Sequence, residues 1–503
     1  MRLLQSILED AARRLPAKTA LVCGATPVSY LEIEQQANRA AHALAALGVA
    51  RGDRVVLFLD NSVEAVVAFF AVLKADAVVV PVNATTKGEK LARILADCEA
   101  RALVTTEARH QQVREHVGVP VLTAPWDGRH ATLSAERPPS ANIDLDLACL
   151  IYTSGTTGQP KGVMHTHQGL LSVTRSIVDY LDARESDVVL SVLPLSFGYG
   201  LTQMWPTFCV GGTLVLEKSF AFPQVTLQKM AAEKVTGFAM VPTIAVTLLK
   251  NDLTRFDLSA LRTLTNAGAG IAPALLGELR ARLPQARIFP MYGQTECIRA
   301  SFLPPEEVDA RPAKIGKGIP GAELWIVDDD GRRLPPGSVG ELVVRGANVM
   351  RGYWHLPEAT AQKLRPGPVP GEHVLFTGDL FSLDDEGWLQ FVSRKDDIIK
   401  TRGEKVSPRE VEDVLHACPA IAEAVVMGVP DPVLGEAVRA WVVLREGATL
   451  DEKGVLRYCA EHVEDFAVPK RAILLPELPK TPNAKVDRAA LRELSAADPK
   501  ERT

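Results

Sequence analysis

The sequence predicts an α/β protein in two domains. Residues 1–395 read as a large N-terminal domain of helix-covered sheets with a small β-barrel-like subdomain at about 320–395, and residues 396–503 as a small α+β C-terminal domain. Three observations predict this. Amphipathic helical stripes alternate with short, wholly apolar strands over most of the chain before Ala322, the pattern of a mostly parallel sheet covered on both faces. Near Ala322 the texture changes to short alternating segments (Leu324–Val327, Gly340–Val344, Leu389–Phe391) between turns rich in Gly, Asp and Pro, which suits an antiparallel or barrel-like unit. After the charged turn Arg394-Lys395-Asp396-Asp397 come a helix near Pro408–Ala417, strands near Ala422–Val429 and Ala437–Leu444, and a helix near Leu450–His462. That stretch is long enough to fold as a domain.

The elements follow in order. Leu4, Ile7, Leu8 and Ala11 lie on one face of an N-terminal helix. Glu9 and Asp10 interrupt its apolar character, so it does not read as a signal peptide. Ser29 and Glu32 have the spacing of a capping box, Ala37, Ala40, Ala41, Leu44 and Leu47 continue the helical stripe, and Gly48 ends it. Val55–Leu59 is an apolar strand. Ala65–Val82 is the most apolar stretch, but Lys74 and Asp76 break it and Pro81 ends it, so a buried helix followed by a buried strand is expected instead of a membrane span. The helix–strand unit recurs at Leu91–Cys98 with Ala102–Thr105, at Val225–Lys234 with Gly237–Val241, and at Ala274–Leu283 with Arg287–Met291.

Composition narrows the function. Of 503 residues, 56 are Lys or Arg and 61 Asp or Glu, a net charge of −5 that supplies no bulk basic field for nucleic acid or anionic lipid. A small-molecule substrate, no nucleic acid, no membrane, and a monomer or homodimer are expected. Seven widely spaced cysteines without a CxxC pair fit reduced thiols and a cytoplasmic location. His165-Thr-His167 has two imidazoles but no third ligand nearby, so helix-start histidines are a better reading than a metal site.

One segment carries chemistry by its composition. The apolar strand Ala148–Ile151 runs into Tyr152-Thr-Ser-Gly-Thr-Thr-Gly-Gln-Pro-Lys161-Gly. Ser154, Thr156 and Thr157 offer hydroxyls, and Gly155 and Gly158 let backbone N–H groups converge on an anion. It is not a Walker A loop, because Gly162 follows Lys161 where Ser or Thr is required. A flexible Ser/Thr/Gly loop is the bland alternative.

This segment resembles the signature loop of the adenylate-forming enzymes, the superfamily of acyl- and aryl-CoA ligases, peptide-synthetase adenylation domains and luciferases. Further similar segments follow in the family's order: Tyr292-Gly-Gln-Thr-Glu296, Phe376-Thr-Gly-Asp379-Leu, Ser393-Arg-Lys-Asp396-Asp-Ile-Ile-Lys400, Arg402-Gly403-Glu-Lys-Val and Pro482-Asn-Ala-Lys485-Val-Asp-Arg. The resemblance spans almost the whole chain. It implies a reaction in which a carboxylate attacks the α-phosphate of ATP, and a thiol then displaces AMP from the acyl-adenylate. Two anions must meet in the first step, so fixed positive charge and N–H donors are needed.

The resemblance also implies roles. Thr153, Ser154, Gly155, Thr156, Thr157, Gly158 and Lys161 would hold the β- and γ-phosphates. Thr295 would bond the α-phosphate, and Glu296 would help hold Mg²⁺. Tyr292 would stack on adenine, Asp379 would accept the ribose hydroxyls, and Arg394 would contact the nucleotide. Gly268 and Ala269 would let adenine and acyl group approach the backbone. Lys485 would bridge carboxylate and phosphate, a task suited to a mobile point charge. Asp396 would be the hinge of a mobile C-terminal domain, whose second orientation withdraws Lys485 and brings Gly403 to a thiol tunnel. Taken alone, Glu296 could cap a helix, Asp379 could be a turn acid, Tyr292 could be core, and Arg394 and Lys485 could be solvated charges.

For the acid, Phe197, Tyr199, Met240, Gly268, Gly293 and Ile298 are expected to form an apolar pocket, with ordinary core aromatics as the alternative for Phe197 and Tyr199. No acidic residue occurs between Asp187 and Glu217, so an α-ammonium group would lack a partner there. Arg299 is a candidate partner for a second polar or acidic group on the substrate; a surface or structural arginine is the competing reading. The expected function is an ATP- and Mg²⁺-dependent ligase joining a small-to-medium aryl or aliphatic carboxylic acid to coenzyme A. Loading of a carrier protein's phosphopantetheine arm in trans is the nearest alternative, and a non-catalytic nucleotide-binding relative a remote one.

Overall fold

The structure is a computed structural model that describes residues 2–125, 131–154, 160–401, 404–431, 434–481 and 485–496. Four sheets organise it. In the first, the strands Arg287–Tyr292, Thr263–Asn266, Gly237–Met240, Val188–Ser191, Thr213–Leu216 and Thr19–Cys23 run parallel, in that spatial order. Antiparallel strands finish both edges. In the second, Val121–Ala124, Ala100–Thr106, Arg54–Phe58, Val78–Pro81 and Leu147–Ser154 run parallel, followed by antiparallel Pro160–Thr166 and Gly352–Tyr353.

The core between these sheets is built as the apolar pattern requires. Leu4, Ile7, Leu8 and Ala11 of the first helix, Ser6–Arg14 and its lead-in, are all buried. Ser29 closes a capping box with Glu32, whose carboxylate accepts from the Ser29 backbone N–H at 2.7 Å, and the helix Tyr30–Ala46 follows. The helix Val63–Lys74 is buried on every side from Ala65 onward, as a helix apolar all round must be. Its buried charge, Lys74, is 2% exposed and reaches Glu9 at 3.0 Å and Glu34 at 2.7 Å. Those two carboxylates make burial of the ammonium tolerable. Among the described residues no helix is long and apolar enough to cross a membrane.

The third sheet is antiparallel and occupies the stretch where the sequence texture changes. Its strands are Ala322–Val327, Val339–Gly346, His373–Leu383, Leu364–Pro366 and Leu389–Arg394. The fourth contains Glu404–Val406, Ile399–Thr401, Gly435–Leu444, Ile421–Asp431 and Arg471–Leu474. The helices Pro408–Ala417 and Glu452–Ala460 contribute to one apolar cluster of this unit, and Leu491 of the helix Arg488–Ala496 to another.

This topology decides where side chains can gather. The parallel strands of the first sheet all end on the same side, so the segments after Ser191, Met240, Asn266 and Tyr292 converge there, as ligand loops do in parallel sheets. In the third sheet, pairing puts Asp379 directly opposite Arg394. The turn at 395–397 then leads from that sheet into the fourth.

Candidate active site

A cavity of about 1960 Å³ opens at these strand ends and is closed on its far side by the C-terminal unit. Thr153, Lys161, Phe197, Tyr199, Gly268, Ala269, Tyr292, Gly293, Thr295, Glu296, Ile298, Arg299, Asp379, Arg394, Asp396 and Lys485 all line it. The signature segment is the tip of a hairpin: Leu147–Ser154 pairs with Pro160–Thr166, Thr153 opposite Lys161. Gly155, Thr156, Thr157 and Gly158 lie outside the described residues, as do Gly403 and the side chain of Ser154.

Tyr292 ends the strand Arg287–Tyr292, and its hydroxyl donates to Asp379 at 2.6 Å. Gln294 donates to the same phenol oxygen at 3.1 Å. Arg394 approaches the other Asp379 oxygen at 3.4 Å. Asp379 is buried, and burial pushes its carboxyl up from the usual range, while Tyr292 and Arg394 pull the other way. Burial, and then Asp379 itself, raise the Tyr292 phenol, so it stays a donor. The turn after Tyr292 presents Thr295 and Glu296. Tyr353 donates to Glu296 Oε1 at 2.7 Å, and the ring of Tyr353 stands 5.3 Å from Lys161 Nζ. Tyr353 therefore ties the hairpin lysine to the metal-ligand candidate.

Lys485 arrives from the C-terminal unit. The Thr481 N–H donates to the Lys485 carbonyl at 2.7 Å. The ammonium lies 5.0 Å from the centre of the Phe197 ring, and a Cβ placed on Gly268 would sit 3.4 Å from Lys485 Cε. Gly268 has φ +84°, a backbone conformation that favours glycine there. Burial and then the charge of Arg394 lower the lysine's pKa, opposed by Asp379 and Glu296. The Ser407 hydroxyl, donating to the Val392 carbonyl at 2.7 Å, and Arg409, 3.5 Å from the Gly270 carbonyl, brace this arrangement. Asp396 is exposed in the turn between Leu389–Arg394 and Ile399–Thr401.

The acyl side differs from expectation at one position. Met240 is fully buried inside the first sheet, and Val241 lines the cavity in its stead. Val241 follows the strand Gly237–Met240 and caps the helix Pro242–Leu249, in the segment that opens onto the cavity, whereas Met240 still lies within the sheet. Tyr199 is buried, with its hydroxyl 2.7 Å from Thr265 Oγ1, whereas Phe197 is only half-buried at the wall.

Both imidazoles of the His165-Thr-His167 segment have protein partners. His167 opens the helix His167–Leu181, and its Nδ1 accepts from the Leu4 N–H at 3.0 Å. His165 lies on the strand, not the helix, and its Nε2 meets the Thr295 carbonyl at 2.8 Å. Burial pushes both down to about 4. The unfolded chain binds these protons near pH 6.5, and the folded one only near 4. Stability is therefore present above pH 6.5 and falls with acidification through that window, by up to about 1.4 kcal/mol per pH unit for each histidine. Urea midpoints between pH 7 and 5 should decline accordingly, before ordinary carboxylates titrate; a flat profile would contradict the buried neutral state.

Tyr353, Gln294 and His165 carry no sequence signal for these contacts. Their partners lie far off in the chain or in a turn whose shape only the fold sets.

The fold and the cavity define a class: a large sheet domain and a small C-terminal unit that line one cavity, with Lys485 of the small unit among the lining residues. Residues 8–354 match the AMP-binding enzyme family, and residues 410–485 match the AMP-binding enzyme C-terminal domain. A probable CoA ligase, CCL9 of Humulus lupulus, is 32% identical over 97% of this chain and 96% of its own length. The crystal structure of ATP-bound MatB from Rhodopseudomonas palustris is similar with a TM-score of 0.90 at 30% identity, covering 99% of each chain. The anthranilate CoA ligase AuaEII in complex with anthranoyl-AMP has a TM-score of 0.90 at 28% identity, covering 99% of this chain and 98% of its own. The chain belongs to the adenylate-forming superfamily of AMP-binding enzymes, among its AMP-forming acid–thiol ligases.

Proposed function

We propose that this enzyme activates a small-to-medium carboxylic acid as its acyl-adenylate and transfers the acyl group to coenzyme A. The observation that carries this reading is the placement of Lys485 from the C-terminal unit against Phe197 and Gly268, in the cavity that also holds Asp379, Arg394 and Glu296. Asp379 is buried yet held as an acceptor by Tyr292 and Arg394, which suits ribose hydroxyls. Tyr292 and the backbone at Gly268 and Ala269 offer the flat surfaces that adenine needs. Thr153, Thr295 and Lys161 supply donors and charge for the phosphates.

Glu296 suits Mg²⁺. One of its oxygens accepts from Tyr353, the other has no protein partner among the described residues, and no group of three potential ligands occurs there. A single carboxylate is what a cation arriving with a triphosphate requires, since the phosphates bring their own oxygens. When bound, the ion would neutralise phosphate charge during the attack.

The carboxylate substrate would enter beside Lys485, whose ammonium offsets its repulsion from the α-phosphate. The carboxylate oxygen forms the new bond to phosphorus and pyrophosphate leaves. Removal of Lys485 by a turn about Asp396 would then admit the thiol to the acyl carbon, with AMP as leaving group. That turn lies where one backbone segment joins the third and fourth sheets, the geometry of a hinge.

The thiol is tested directly. With an acid that supports turnover, the enzyme is expected to form acyl-CoA far faster than it loads any member of a panel of holo-carrier proteins. Faster loading of a carrier protein would replace coenzyme A as the acceptor.

A further inference from the structure

Arg299 is the one feature of the acyl pocket that the reaction above does not use. It lines the cavity, yet is only 2% exposed. Its guanidinium carbon stands 5.1 Å from the centre of the Tyr199 ring. Among the described residues its single side-chain hydrogen bond is a long one, 3.5 Å to the Thr202 hydroxyl, and its Nε has no partner. Among the described residues no carboxylate lies within ion-pair distance of it, whereas buried Lys74 has two. A buried cation without a counter-ion is costly, and folded proteins rarely keep one idle.

The backbone holds this cation in place at further cost. Ile298, just before it, has φ +55°, a left-handed conformation that a β-branched residue strongly disfavours. A Cβ on Gly293 would lie 2.5 Å from the Ile298 carbonyl oxygen and 2.8 Å from Arg299 Cα, so only glycine lets the segment fold back this closely. Asn348 donates to the Arg299 carbonyl at 2.7 Å and fixes the turn. Strain, close packing and an unpaired charge thus coincide at one point of the pocket wall.

We propose that the acid substrate carries a second carboxylate, which pairs with Arg299 while the first is activated beside Lys485. This rests on the adenylating function proposed above and names its substrate class. A guanidinium binds a carboxylate through two parallel N–H donors, and the unpaired Nε is free to provide one of them. The same charge repels an α-ammonium group, in keeping with the lack of any acid between Asp187 and Glu217.

Acid-dependent pyrophosphate release should be measured for succinate, glutarate, adipate and isophthalate, each beside its own monoamide, which keeps the shape and removes the second charge. At least one diacid is expected to exceed its monoamide in kcat/KM on the order of tenfold or more. Arg299→Gln should collapse that ratio through the KM for the acid, and Arg299→Lys should restore part of it. No diacid preference across the panel, or a ratio unchanged in Arg299→Gln, overturns the proposal. If both variants fail to fold, the wild-type ratio alone decides. Pyrophosphate release with monoamides but no diacid advantage sinks only this inference; no release with any acid sinks the adenylating function itself.

Discussion

Lys485→Ala is expected to slow acyl-adenylate formation by about 10²–10³-fold or more, the scale on which placed charge acts at a developing anion. It should leave thioester formation from supplied acyl-AMP largely intact. The reason is positional. The Lys485 side chain reaches the cavity, with its Cε near Gly268 and its ammonium over Phe197. In the thiol step the same ammonium would be withdrawn. The pH dependence follows from its lowered pKa, caused by burial and by Arg394. The charged form is the useful one, so adenylation should fall as pH rises, at a pH below the ordinary lysine range. The residual activity of Lys485→Ala should lack that alkaline limb. Equal loss of both half-reactions would show that the lysine serves the fold, not the first step.

Asp379→Ala should raise the KM for ATP by about 10²-fold, with a much smaller change in the KM for the acid. Asp379 is the shared acceptor of Tyr292, at 2.6 Å, and Arg394, at 3.4 Å. Its removal leaves the Tyr292 phenol without its acceptor, a loss of about 1–3 kcal/mol for a buried donor left unpaired, whereas the exposed Arg394 guanidinium can turn to water. Asp379→Asn keeps the shape and one acceptor oxygen, so it should be milder. Steady-state rates with ATP and acid varied separately check this; an unchanged KM for ATP in the alanine variant would remove Asp379 from the nucleotide site.

The sequence made the locally determined parts legible. The Ser29–Glu32 box, the helix Val63–Lys74 and the helix Pro408–Ala417 depend on neighbours a few residues away, and their pattern was enough. Motif resemblance brought Tyr292, Asp379, Arg394 and Lys485 together although they are up to 193 positions apart, and the structure gathers them in one cavity. What escaped depends on tertiary detail. Met240 is the last residue of its strand and Val241 the cap of the next helix, and the pocket takes the second. Tyr353 meets Glu296 from 57 residues away through the second sheet's edge strand. The buried, unpaired state of Arg299 follows from Ile298 adopting a conformation that no propensity would assign to it.

The central claim is that one cavity joins a carboxylate to the α-phosphate of ATP. Exchange of labelled pyrophosphate into ATP, measured without any thiol over a panel of mono- and dicarboxylic acids, tests it most directly. Exchange that requires both an acid and Mg²⁺, and that is lost in Lys485→Ala, is the predicted result. Release of ADP and phosphate, or no exchange with any acid, would contradict it.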